Sequence, residues 1–321
     1  MWRWTWRALV SLCGLIVAAA GAGATYEWLA TRRDLAGHPP PGRLVDVGGH
    51  RLHVWCAGSG SPAVVLEAGL TGSTAGWGSV QPELARFTRV CSYDRAGLGY
   101  SDPGPSPRTA GRIASELARL LDRAGIGGPL VLAGASIGGL YVRVFASEHP
   151  ERVAGLVLVD ASHERQEMEV PALARVVPLL APLGVFRFLG VSFAHDPESL
   201  APAVQALARA TRFRPAGYLA AASEITHVRQ SAAEAGASPR KLAIPVMVVT
   251  AGRGTDAAWR DLQRDLAGLS ERGCQLIAEE SGHVVTADQP QVVVEAIRTA
   301  VMAARGSGDV FTCEARADRG E

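Results

Sequence analysis

The chain lacks a cysteine or Cys/His motif with metal-ligand spacing. Its five cysteines and eight histidines form no Cys-x-x-Cys pair and no Cys/His cluster, which leaves no zinc or dithiol motif. The cysteines are also too few and too scattered for a disulfide scaffold. Cys56 and Cys91 lie in expected strands and read as buried, inert thiols. Cys274 and Cys313 are a candidate bridge only if the domain lies outside the cytoplasm. Charge of one sign is missing as well. The 32 basic and 31 acidic side chains nearly cancel, and no basic cluster is interleaved with aromatics, so nucleic acid is not an expected partner.

What the chain does have begins at its amino terminus. Arg3 and Arg7 precede an uncharged apolar stretch from Ala8 to Ala24, with Trp2, Trp4 and Trp6 at its start. A basic flank, an apolar core and interfacial aromatics describe a secretory signal or a membrane anchor. Ala20-Gly21-Ala22 and Ala22-Gly23-Ala24 would suit cleavage. Tyr26, Trp28 and Leu29 carry the apolar character onward, and the reading adopted is an uncleaved helix of about 20 residues, enough to cross the hydrocarbon. Arg3 and Arg7 favour an inside amino terminus and an extracytoplasmic domain, whereas Arg32 and Arg33 oppose it. Residues 1–34 are thus taken as anchor or signal segment. Residues 35–42, with Pro39-Pro40-Pro41, form a stiff extended spacer.

From residue 43 strand and helix patterns alternate. Val45 and Val47, then Gly48-Gly49, then Leu52 and Val54 signal a hairpin. Strands are expected at Ala63 to Glu67, Arg89 to Tyr93, Leu130 to Ala133, Ala154 to Asp160, Ile244 to Thr250 and Cys274 to Ala278. Thr109 caps a helix whose apolar positions Ile113, Leu117, Leu120, Leu121 and Ala124 run until Gly125, and a last helix covers Pro290 to Ala304. Such alternation predicts an α/β domain over residues 43–305, a mostly parallel sheet with helices on both faces. Residues 162–240, about eighty in number, lack strand patterning and are too many for a plain loop, so they should carry helices of their own as a cap. Phe186, Phe188, Phe193 and Phe213 suggest that this cap roofs an apolar pocket. Residues 306–321 read as a disordered tail.

Gly134-Ala135-Ser136-Ile137-Gly138-Gly139 follows a buried strand and opens a helix, the context that a Gly-x-Ser-x-Gly nucleophile elbow requires. With Glu67-Ala68-Gly69-Leu70, the loop Asp94-Arg95-x-Gly97-x-Gly99-x-Ser101, and Ser281-Gly282-His283, it makes residues 43 to 305 resemble the α/β-hydrolase fold. The resemblance implies an eight-stranded sheet with a helical cap after the sixth strand. The chain departs from many members in having Ala68 before Gly69 and Ala135 before the serine.

A serine hydroxyl attacks only if a base takes its proton and a carboxylate orients that base. His283 is the candidate base, because it follows the last strand. His163, just past a strand tip, is a second histidine to watch. Two acids remain open. Asp160 ends the sixth strand, and Asp256 follows the seventh in a Gly-flanked loop. The motif supplies the backbone N–H of Ile137 to an oxyanion hole, and the fold suggests that of Leu70 as well. Asp94 and Arg95 are expected to pair and brace the adjoining loop. The resulting expectation is a cofactor-free serine hydrolase acting on a small apolar carboxylic ester through an acyl-serine. Amidase, aminopeptidase, acyltransferase and perhydrolase activities would use the same groups, and a non-catalytic binding protein is the alternative from another class.

Overall fold

The computed structural model describes residues 2–193, 200–239 and 241–306. The expected tail beyond residue 306, Cys313 and His195 lie outside the described residues. Eight strands form one sheet in the order β1-β2-β4-β3-β5-β6-β7-β8, with β1 at Arg43–Asp46, β2 at Arg51–Ala57, β3 at Ala63–Glu67, β4 at Val90–Tyr93, β5 at Leu130–Ala135, β6 at Val153–Val159, β7 at Val246–Ala251 and β8 at Gly273–Ala278. Only β2 runs against its neighbours, and the pairs from β4 through β8 are parallel. Because side chains alternate along a strand, the two faces have different partners. Val64, Leu66, Val131, Ala133, Val157 and Val249 pack on the last helix. Val65, Leu130, Leu132, Leu156, Leu158 and Val248 face the opposite helical layer.

Helix α1 runs Trp2–Gly37, α2 Ala110–Ala124 and α3 Gly138–Glu148. Thr109 caps α2, and Gly125 ends it in the left-handed region at φ 65°, a conformation open to glycine at little cost. After β6 the chain builds the cap. It contains α4 at Val185–Leu189, α5 at Pro202–Thr211, α6 at Pro215–Thr226 and α7 at Val228–Gly236. Helix α8, Ala257–Ala267, and α9, Pro290–Ala304, complete the domain.

Two readings of the sequence are corrected by the structure. Cys56 and Cys91 are directly opposite on β2 and β4 and form a disulfide instead of lying as free thiols. Helix α1 is longer than the apolar stretch, and it takes up residues 35–37 of the expected spacer. Its first part, through Ala19, is exposed all round, whereas residues 23, 24, 27, 30, 31, 34 and 35 turn away from solvent at helical spacing. That stripe docks on the domain. Arg187 of α4 donates to both carboxylate oxygens of Glu27 at 2.8 and 3.0 Å and to Asp34 at 2.6 Å, so the buried Glu27 is paired. The spacer is tied down too, since Tyr100 donates to the His38 carbonyl at 2.8 Å and the His53 ring bonds the Pro41 carbonyl.

Candidate active site

Ser136 stands at the carboxyl end of β5 with φ 52°, a strained setting for a residue with a side chain. Close packing imposes it. A Cβ on Gly134 would lie 2.6 Å from the Gly138 carbonyl oxygen, one on Gly138 2.7 Å from that of Ala68, and one on Gly139 2.5 Å from the Ala161 Cβ. The elbow therefore needs all three glycines, and the turn delivers the serine hydroxyl above the sheet.

His283, after β8, brings Nε2 to 2.9 Å from Ser136 Oγ. Its Nδ1 lies 2.6 Å from Asp160 Oδ2. A carboxylate accepts, so Nδ1 carries the proton and Nε2 is left to accept from the hydroxyl. Asp160 directly follows β6, also with positive φ, 41°, and is buried. Its second oxygen, Oδ1, accepts from the Ala251 N–H at 3.0 Å and from the Trp259 indole at 2.8 Å. The structure brings Ser136, His283 and Asp160 together. It does not bring Asp256 to them, because Asp256 is the exposed cap of α8, accepting the Trp259 N–H at 2.7 Å. His163 is also elsewhere. Buried, it meets Asp265 at 2.9 Å through Nε2 and accepts the Arg165 N–H at Nδ1, and burial lowers its pKa.

The Gly69-Leu70 segment passes beside the serine, since a Cβ on Gly69 would lie 3.2 Å from the Ser136 Cβ. Its path is held from behind by Arg95, which donates to the carbonyls of Ala68 and Gly69 at 2.7 and 2.8 Å. The same guanidinium meets Glu67 at 2.6 Å and both oxygens of Glu224 on α6 at 2.9 Å. Burial pushes the Glu67 carboxyl up despite the opposing charge of Arg95. Asp94 and Arg95 thus do not pair with each other. Asp94 bonds His53 at 2.8 Å and accepts the N–H groups of Thr74 and Tyr100 at 2.7 and 2.9 Å. Burial opposes charging His53, but the Asp94 carboxylate outweighs it and the pKa of His53 rises.

A cavity of about 420 Å³ opens over Ser136 and His283, walled by Leu70, Trp77, Leu98, Phe193, Leu200 and Tyr218 among others. Of the four cap phenylalanines only Phe193 lines it. Phe186 lies behind, stacked on Tyr218 with ring centroids 4.7 Å apart. The indole of Trp259, the paired carboxylate of Glu224 and the disulfide were missed from sequence. Trp259 lies three residues past a Gly-flanked loop, and nothing local marks it.

The elbow, the sheet order and the inserted cap define a class of hydrolase fold, and comparison with known proteins agrees. Residues 62–234 match the family model described as alpha/beta hydrolase fold. An uncharacterised protein of Schizosaccharomyces pombe is 32% identical over 216 residues, covering 64% of this chain and 40% of that protein. This chain therefore spans less than half that relative's length. An AB hydrolase superfamily protein of Gibberella zeae is 26% identical over 284 residues, covering 76% of this chain and 87% of the relative. Among solved structures, a thermophilic esterase from Thermogutta terrifontis superposes with a TM-score of 0.64 at 23% identity, covering 82% of this chain and 98% of that one. The chain belongs to the α/β hydrolase fold family.

Proposed function

We propose that the protein is a membrane-anchored serine hydrolase that cleaves carboxylic esters of apolar small molecules through an acyl-serine intermediate. The observation that carries this reading is the line from Asp160 Oδ2 to His283 Nδ1 at 2.6 Å and from His283 Nε2 to Ser136 Oγ at 2.9 Å. Ser136 Oγ attacks the ester carbonyl carbon as His283 Nε2 takes its proton, and Asp160 holds the imidazolium that forms. The amides of Leu70 and Ile137 receive the oxyanion. Collapse expels the alcohol, which leaves with the proton from His283. Water, activated by the same imidazole, then frees the carboxylic acid and restores the serine. The carboxylate, the base and the nucleophile all come from this chain, and no cofactor enters the scheme.

Anchoring is supported by α1, whose apolar, outward-facing first part is long enough to cross a bilayer. An extracytoplasmic domain is supported by the Cys56–Cys91 disulfide, since such bonds persist in oxidising compartments. The test is labelling with a fluorophosphonate probe. Wild type labels and Ser136→Ala does not. Folded wild-type protein that fails to label would overturn the reading.

A further inference from the structure

The cap carries exposed apolar side chains on either side of the segment that meets α1. Leu179, Phe188 and Leu189 are 69%, 84% and 63% exposed, and Val176 and Val191 adjoin them in sequence with 40% each. Phe188 and Leu189 end α4, the helix whose Arg187 clamps α1. The level of this face along α1 follows from its contacts. A Cβ on Gly23 would meet the Leu183 carbonyl oxygen at 2.5 Å, and Gly184 abuts the Glu27 Cβ. Between Arg7 and Glu27 the helix carries no charge, and at 1.5 Å per residue this stretch measures about 30 Å, the thickness of the hydrocarbon. Residues 183–189 therefore stand at the level where α1 leaves the apolar layer, beside the interfacial aromatics Tyr26 and Trp28. A charge at this level would be costly, but Arg187 is spent on Glu27 and Asp34.

The same face leads to the pocket. Phe186 of α4 packs against Phe193 and Tyr218 with centroids 5.5 and 4.7 Å apart, and Phe193 and Tyr218 line the cavity over Ser136. Phe193 is itself 39% exposed. Packed aromatic rings thus link α4 to the lining of the cavity over the nucleophile.

We propose that the cap face of Leu179, Phe188, Leu189 and Val191 is seated in the interfacial layer of the bilayer that α1 crosses, and that the pocket draws a lipophilic acyl ester from that layer past Phe193. The proposal rests on the anchored-hydrolase reading and names its substrate phase. Continuity with α1 is what selects a lipid surface as the occupant, because the spacer contacts and the Arg187 clamp fix the helix and the cap to one body.

The experiment uses the full chain in phosphatidylcholine vesicles. A bimane label is placed at Phe188→Cys, or at Glu271→Cys as an exposed site before β8, both in a Cys13→Ser background. Lipids brominated near the headgroup should quench the label at 188 several-fold more than that at 271. Equal quenching, or a chain that does not float with the vesicles, overturns the docking. In a second arm, Phe188→Asp/Leu189→Asp should lower hydrolysis of a vesicle-dissolved palmitate ester about tenfold, while hydrolysis of a water-soluble acetate ester stays within about twofold. An equal fall for both esters overturns the lateral entry. Wild type inert to both esters fails the hydrolase reading and lateral entry with it, whereas the bimane signal still decides the docking.

Discussion

Asp160 accepts from three donors, and their removal should have graded effects. Asp160→Asn would leave His283 without its carboxylate, and turnover should fall by about four orders of magnitude. Trp259→Phe removes one hydrogen bond to that carboxylate, of the charged kind worth about 1.5–3 kcal/mol. A fall in kcat of about ten- to a hundredfold with a KM little changed is expected, measured on any ester the wild type turns over. Asp256→Ala should instead cost about 1 kcal/mol of stability through the lost helix cap, read by thermal unfolding, with fluorophosphonate labelling retained. The Ser136 elbow could be read in the chain because its signature is local: glycines at fixed offsets between a strand and a helix. The choice between Asp160 and Asp256 could not, because both follow strand ends and only the sheet's register decides which faces His283. Arg95 and Glu224 are 129 residues apart, and a pairing at that separation leaves no periodic trace.

At the scale of elements, the strands and flanking helices were legible because each is long, apolar and bounded by glycine or a cap. The second half of α1 was not. Its docking stripe is made of Gly23, Ala24, Glu27, Ala30, Thr31, Asp34 and Leu35, mostly small or acidic residues with a single leucine, a mixture that no hydropathy pattern singles out. The stripe depends on Arg187. Arg187→Met would leave Glu27 buried and unpaired, at a cost of about 3–5 kcal/mol. The expected result is release of residues 23–37, seen as faster amide exchange there, with the exchange of β3 to β6 unchanged. The Cys56–Cys91 bridge closes a loop across β2 and β4 at a separation of 35 residues. Its reduction should lower stability by about 3 kcal/mol, measured as a drop in denaturation midpoint with reductant. The two cysteines were read as thiols because a cross-strand pair is visible only once the register is known.

For the whole molecule, two buried histidines make stability depend on pH through the neutral range. His53 has a raised pKa in the folded state. Its contribution is therefore complete below about 6.5, the unfolded value, and is lost as pH rises through the folded value. His163 has a lowered pKa, so its contribution is present above about 6.5 and lost as pH falls through the folded value. The two contributions should therefore fall away in opposite directions from about pH 6.5. His53→Gln should flatten the alkaline side and His163→Gln the acidic side in denaturant titrations across pH.

The Arg95 guanidinium also ties the cap to the sheet. It grips the backbone behind the serine with one edge and Glu224 of α6 with the other. Swinging α6 outward would strand a buried carboxylate, so that end of the cap is held to the sheet. The segment at residues 185–193 is joined instead to α1 through Arg187. On the anchored reading proposed above, a tilt of α1 would pull on this segment through Arg187, and hydrolysis in vesicles should then vary with bilayer thickness.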